Sequence, residues 1–283
     1  MRYSLGVMPP NLSSHPRVAF MTGVAVWAPR LPGWSIAAPV LRGEAEPPAQ
    51  IATRPAPPYL APTERRRAPD TVVIALEVAN SACQGAGVDP RAVASVFAST
   101  HGDLVISDYM SDTLAKTPSL VSPIRFHNSV HNAAAGYWSI GTGGMKPYTA
   151  LTAWGDTFGE GLLEALVQAD TEGDPTLLVA YDIEARGALA QMQPSRGMLG
   201  VGIVVTAQPV SDPIAMIRWR TVSGEEPTAP SARNAGLIEG NAMAACLPLL
   251  EAVAIERSTR VIVSLSSSLM LELDLDFEGI QNA

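Results

Sequence analysis

Residues 151–162 read LTAWGDTFGEGL, and the way this stretch folds decides the rest. The residues leading into it, PYTALTAW at 147–154, form a short apolar run of the kind found in a buried strand. From Gly155 to Asp170 the apolar residues recur at helical spacing. The stretch therefore predicts a strand that enters a helix through a tight turn. Such a corner exposes one side chain, and the helix N-terminus behind it favours negative charge. Here the corner holds Gly155 and Asp156, with no serine or cysteine. Thr157 is the nearest hydroxyl, and without an activating base it is a poor nucleophile. The plainer reading is that Asp156 or Thr157 caps the helix and Gly155 serves the turn.

Working outward, VASVFAST (93–100), TLLVAYDI (176–183) and LGVGIVVTAQ (199–208) are continuous apolar runs, the mark of strands buried on both faces. VAFMTGVAVWAP from Val18 is strand-like, and IAMIRWRTV (214–222) suits a neighbouring strand. Thr63 to Val88 reads as a helix, with Pro69 kinking it or marking its start and Gly85 and Gly87 ending it. Residues 108–117 read as a helix closed by Pro118, and GLIEGNAMAACLPLLEAVAIER (236–257) as another. Residues 39–62, rich in proline and alanine, read as a long exposed excursion. The closing run reads as two strands joined at Ser266-Ser267-Ser268. The second alternates Leu with Glu or Asp, one face apolar and the other acidic and wet. Strands alternate with helices, which predicts a layered α/β protein.

The chain has 283 residues, 47% hydrophobic and 16% charged, enough for a large core, and a formal net charge of -8. The only basic run, Arg65-Arg66-Arg67, is too short to follow a phosphate backbone, so no nucleic-acid partner is expected. Cys83 and Cys246 lie in apolar, helix-like runs without a CxxC and read as buried small hydrophobes, not a zinc site or a disulfide. No apolar run reaches the roughly 20 residues that cross a bilayer. Residues 1–17 read as a loose leader without the apolar core of a signal peptide, which predicts a cytoplasmic protein.

The densest polar cluster is FHNSVHNAAAG, Phe126 to Gly136. His127 and His131 stand four apart, a spacing that on a helix can hold a metal, but no glutamate lies between them and no third ligand is evident. No metal is expected. His131 as a general base stays open. So does the simpler picture of a helix from His127 to Ile140 with Asn128 or Ser129 as its cap. His101-Gly102-Asp103 follows a buried strand and is a further candidate, because strand carboxyl ends line sites in α/β folds. Gly141-Thr142-Gly143-Gly144 follows a helix, the wrong order for a phosphate loop, and reads as a helix stop.

These pieces resemble a family. GVAVWAPRLPGW (23–34), ERRRAPDTVVIALEVA (64–79), FASTHGDL (97–104), SPIRFHNSVHNAAAGYWSI (122–140) and GDTFGEGLLEAL (155–166) resemble the N-terminal half of β-ketoacyl synthases. In detail they look like the short synthase-like chain length factors of bacterial aryl polyene and related pigment pathways. The resemblance implies a thiolase-like layered α-β-α-β-α sandwich with a shortened C-terminal half. Residues 18–208 would form the N-terminal half and 209–283 the truncated one. Active members carry a cysteine at the strand-to-helix corner, and that position falls at or beside Gly155, next to Asp156. No histidine follows His131, and SLSSS (264–268) stands in place of the glycine-rich loop before the last strand. The resemblance thus implies a non-catalytic subunit without cofactor, paired as a heterodimer with an active ketosynthase and shaping the pocket for a chain held on acyl carrier protein. His127, Ser129, Val130, His131, Asn132, Trp154 and Asp156 would line the pocket and the interface. The rival expectations are a stand-alone hydrolase or acyltransferase using His131 with Asp156 or Thr157, and a scaffold homodimer.

Overall fold

The structure is a computed structural model that describes residues 16–278. The expected leader, residues 1–17, lies outside the described residues except for Pro16 and Arg17, and Arg17 already belongs to a strand. Nine strands form one sheet in the order β4-β3-β5-β6-β1-β7-β9-β8, with β2 paired to β1. The strands are β1 (Arg17–Ala28), β2 (Leu31–Pro32), β3 (Ala94–Ala98), β4 (Tyr148–Leu151), β5 (Thr176–Asp182), β6 (Leu199–Thr206), β7 (Ala215–Ser223), β8 (Thr259–Ser264) and β9 (Leu269–Asp276). β3 runs parallel to β4 and β5, and all other pairings are antiparallel.

β1 joins the two halves. Its later residues, Phe20 to Trp27, pair with β6, and its first residues, Arg17 to Met21, pair with β7. The register shifts between Met21 and Gly23, a bulge that lets one strand serve both lobes. β3, β5 and β6 are buried at every position, as their unbroken apolar runs require.

The helices sort into layers. α3 (Asp70–Ala86) and α6 (Ala133–Thr142) cover one face of the N-terminal strands, packing Ile74, Val78 and Trp138 against Phe97, Leu177 and Tyr181. α7 (Thr157–Glu172), α8 (Leu247–Ile255) and α1 (Trp34–Arg42) cover the other face. The inner faces of β7, β8 and β9, including Ile217, Trp219, Val261, Leu271 and Leu273, close over the same core. The result is a layered α/β, thiolase-like sandwich built on one nine-stranded sheet, with a shortened C-terminal half. The outer face of β7–β9–β8 carries Arg218, Arg220, Arg260, Glu272, Asp274 and Asp276. Glu272 is buried between Arg220 and Arg260, and both arginines pair with it. Their hydrogen bonds hold its carboxyl below the usual range. Such a charge ladder satisfies a wet face and would be costly to cover with apolar helices.

Three expected elements differ. Residues 39–42 are not part of a loop: they finish α1, whose Ala37, Ala38, Val40 and Leu41 are buried, with Pro39 inside the helix and Arg42 exposed. Packing against α8 overrides the proline signal. The excursion proper is 43–61, and even there Pro55, Pro57 and Leu60 are buried. The helix expected from Thr63 is two, α2 (Pro62–Arg67) and α3, broken at Pro69, with Gly87 as the left-handed C-cap of α3 at φ 65°. The helix expected over 236–257 is regular only from Leu247, because Pro248 fits the first turn, where its missing N–H is no loss.

Gly159 measures how tightly α7 meets the C-terminal lobe. A Cβ there would sit 2.0 Å from the Ser264 carbonyl oxygen, a backbone atom that cannot step aside. Gly159→Ala is therefore expected to lower the unfolding free energy by about 3 kcal/mol. Urea denaturation measures it, and an unchanged midpoint would mean the lobes do not pack in this way.

Candidate functional site

The parallel strands β3, β4 and β5 end side by side, and a buried carboxylate organises their ends. Asp182, fully buried at the end of β5, accepts hydrogen bonds from Ser99 Oγ (2.8 Å), Thr100 N (2.8 Å) and His101 N (3.2 Å). Burial pushes its carboxyl up, against the pull of these donors. Ser99 Oγ in turn accepts from Gly102 N at 2.9 Å. The segment after β3 is thus folded around one side chain, and two features rest on it.

The first is the corner after β4. Trp154 has φ 56°, a left-handed backbone that non-glycine residues avoid. Its carbonyl accepts from Thr157 Oγ1 (2.8 Å) and Thr100 Oγ1 (3.3 Å), while Thr157 Oγ1 accepts from Ala153 N (3.0 Å). Two hydroxyls, one on each flank, hold the strain in place. The side chain displayed by the corner is the tryptophan, more than half exposed. The special conformation falls on Trp154, one residue before Gly155, whose φ is not positive. Asp156 stands at the N-cap position of α7 but makes no side-chain cap, and Thr157 turns back to the corner.

The second is His131, whose Nε2 lies 2.8 Å from the Ser99 carbonyl oxygen. The single helix expected over 127–140 is not formed. His127 ends the short α5 (Pro123–His127), a turn follows, and α6 starts at Ala133. The two histidines therefore do not share a helical face. His127 meets Tyr137 edge-on at 6.1 Å, while His131 points inward. Neither Asn128 nor Ser129 caps a helix start: Ser129 Oγ donates to Phe126 O, and Asn128, at the C-cap of α5, is buried with its side-chain oxygen unpartnered.

An apolar groove of about 550 Å3 lies beside the turn, lined by Phe126, His127, Val130, Asn132, Tyr137 and Ile140 among others. Asn132 Nδ2 donates to the Tyr148 hydroxyl at 3.2 Å and so fixes the turn to β4. β4 is an edge strand. Around it Val130, Ile140, Met145 and Tyr148 are exposed, Ile140 and Met145 by 80% and 94%. A row of unpaired backbone groups flanked by such an apolar belt is a surface built to be covered. The fold thus brings His131 and Trp154 to the same strand ends and sends His127, Val130 and Asn132 to the groove. Asp182 escaped the sequence reading, because an aspartate ending an apolar run looks like the start of any loop.

Cys83 and Cys246 are both buried and free, in α3 and before α8. Burial pushes the Cys83 thiol up to about 12 and the Cys246 thiol higher still, so neither ionises near neutrality. Among the described residues no group of three His, Cys, Asp or Glu side chains is placed to hold a metal. No helix there is long and apolar enough to cross a membrane.

A profile of the β-ketoacyl synthase N-terminal domain matches residues 41–260. A search of curated proteins finds no match. Among solved structures, a chain of a ketosynthase in complex with its chain length factor from Xenorhabdus doucetiae aligns with a TM-score of 0.67 at 19% identity, over 91% of this chain and 99% of that one. A chain from a type II polyketide acyl-carrier protein in complex with its hexaketide-bound ketosynthase gives 0.70 at 10%, over 92% and 99%. A chain of the ishigamide ketosynthase/chain length factor gives 0.64 at 16%, over 92% and 99%. Identities this low speak for the fold.

Two substitutions probe the site. Asp182→Ala strands two backbone N–H groups and a hydroxyl and is expected to cost about 3 kcal/mol of stability by urea denaturation. Trp154→Gly removes the left-handed strain and is expected to gain about 1 kcal/mol in the same measurement. A loss of stability there would show the corner to be unstrained.

Proposed function

The chain belongs to the β-ketoacyl synthase family, and from that premise we propose that it is a non-catalytic, chain-length-factor-like subunit that pairs with an active ketosynthase. The observation that carries this reading is Trp154, an indole with left-handed backbone at the strand-to-helix corner, beside Gly155, where the resemblance puts the family's cysteine. Carbon–carbon condensation needs a thiolate there to hold the acyl group and donors for the oxyanion. The chain's two thiols are buried in other places and held protonated. No histidine follows His131, so residues 209–283 contribute none.

The partner surface is the β4 edge with its apolar belt. A second sheet edge can add to β4 in the manner of β-augmentation, with Val130, Ile140, Met145 and Tyr148 packing beside it. Chain length factors among the similar structures occur with ketosynthases, which favours a heterodimer. His127, Ser129, Val130 and Asn132 then lie at the contact, and His131, Trp154 and Asp156 behind it. The role is to complete the dimer and limit the space for a chain carried on acyl carrier protein, in elongation of the fatty-acid or aryl polyene kind, in the cytoplasm. The hydrolase alternative draws no support: His131 Nε2 is engaged by the Ser99 carbonyl, and the Thr157 hydroxyl by Trp154 and Ala153.

Co-expression with a ketosynthase encoded beside it tests the proposal. The two are expected to elute together, and Ile140→Asp is expected to weaken the pairing by about tenfold or more while the isolated chain stays folded. Separate elution, with the ketosynthase elongating chains normally by itself, sinks the reading.

A further inference from the structure

The connection from β5 to β6 is longer than the register requires. Asp182 and Leu199 pair across the two antiparallel strands, so a short hairpin would join them. Residues 183–198 loop out instead, with one 3-10 turn, Ala188–Gln191, as their regular structure. Connections this long inside a packed domain serve as lids or binding loops. The base of the loop is fixed. Ala185 N donates to Ser195 O (2.8 Å) and closes a neck. The buried Ser195 accepts from Ala242 N at its Oγ (3.1 Å), and Arg196 N donates to Gly240 O (2.8 Å). The buried Asn241 clamps the same base to the sheet, its Nδ2 donating to the carbonyls of Asp182 (3.3 Å) and Arg196 (3.0 Å).

Beyond the neck the loop is loosely held. Arg186, Gln191, Met192 and Pro194 are exposed. The hydrogen bond from Ala190 N to Gly187 O (3.3 Å) stays within the loop, and among the described residues none ties 186–194 to another element. Two close approaches position it. Gly187, left-handed at φ 76°, lies so near α4 (Leu104–Lys116) that a Cβ there would sit 2.5 Å from Asp108 Oδ1. Gln193 reaches the corner after β4. A Cβ on Gly155 would have the Gln193 amide nitrogen, 3.8 Å away, as its single neighbour within 4 Å among the described residues. The corner is otherwise open, and Gly155 is exposed. Met192, next to Gln193, is 67% exposed, and Trp154, next to Gly155, 54%. A thioether and an indole left in water on two sides of one gap gain by closing on each other.

We propose that residues 186–194 are a lid, pivoting at Gly187 above the fixed neck, that closes over the corner at Trp154 and Gly155 and shuts it off from water. Met192 then packs on the Trp154 ring, and the Gln193 amide lies over Gly155. What a covered corner does for a paired ketosynthase rests on the function proposed above; the closure does not. Gly155→Cys places a thiol reporter in the gap, while the chain's own thiols, buried and held protonated, stay silent. Its disulfide exchange with dithiobis(nitrobenzoate), read as released thionitrobenzoate on the isolated full chain, measures how often the corner is open. Adding Met192→Ala and Gln193→Ala removes the closing contacts and leaves the loop backbone in place. The reaction is expected to speed up at least about threefold, the change given by a lid closed about two-thirds of the time. Methyl methanethiosulfonate, a much smaller reagent, is expected to show the same ratio. Equal rates with and without the two substitutions overturn the proposal. So does an acceleration confined to the larger reagent, which would mean static crowding. The reporter needs no partner, so a chain that shows the acceleration but fails to pair with a ketosynthase would sink the proposed function and leave the lid standing.

Discussion

The buried carboxylate of Asp182 is the constraint on which the functional end of the molecule depends. It ends the central strand β5 and gathers the hydroxyl and backbone donors that follow β3. Desolvation makes an isolated carboxylate costly there, so the three donors are obligatory. Once they are in place, the positions of Ser99, Thr100 and His101 are fixed. The Ser99 carbonyl then engages His131, and the Thr100 hydroxyl engages the carbonyl of Trp154. A strained corner and an inward histidine thus hang from one side chain on another strand.

The strain at Trp154 has a direction. A glycine would adopt φ 56° without cost, and the corner carries the largest side chain instead. Two threonine hydroxyls hold it there. A bulky indole kept exposed on a strained backbone is better explained by what it blocks or touches than by what it stabilises. Beside it the β4 edge, the apolar belt and the groove form one surface that is poorly suited to water. At the far side of the molecule the opposite solution holds. The outer face of β7–β9–β8 is finished with paired charges, so the shortened C-terminal half needs no further layer.

Much of this was legible in the sequence. The unbroken apolar runs of β3, β5 and β6 announced strands buried on both faces. The corner at 151–157 was visible as a strand entering a helix without a thiol. The alternating LELDLD of β9 gave its two faces. Legibility failed where local signals conflicted with packing. Pro39 hid α1, and the polar density of 126–136 suggested one helix where a turn divides two.

What the sequence determined by itself is the α/β alternation, the absence of a nucleophilic thiol at the corner and the charge pattern of the last strand. These are properties of periodicity and residue type, written within a few residues of each other. The tertiary structure alone decided that β1 serves both lobes, that Trp154 and not Gly155 takes the left-handed backbone, and that His127 and His131 part company. Each of these follows from contacts across long separations, such as Ser99 with Asp182 and Arg17 with Trp219. No local pattern encodes such contacts, because their energy appears only when the core has closed.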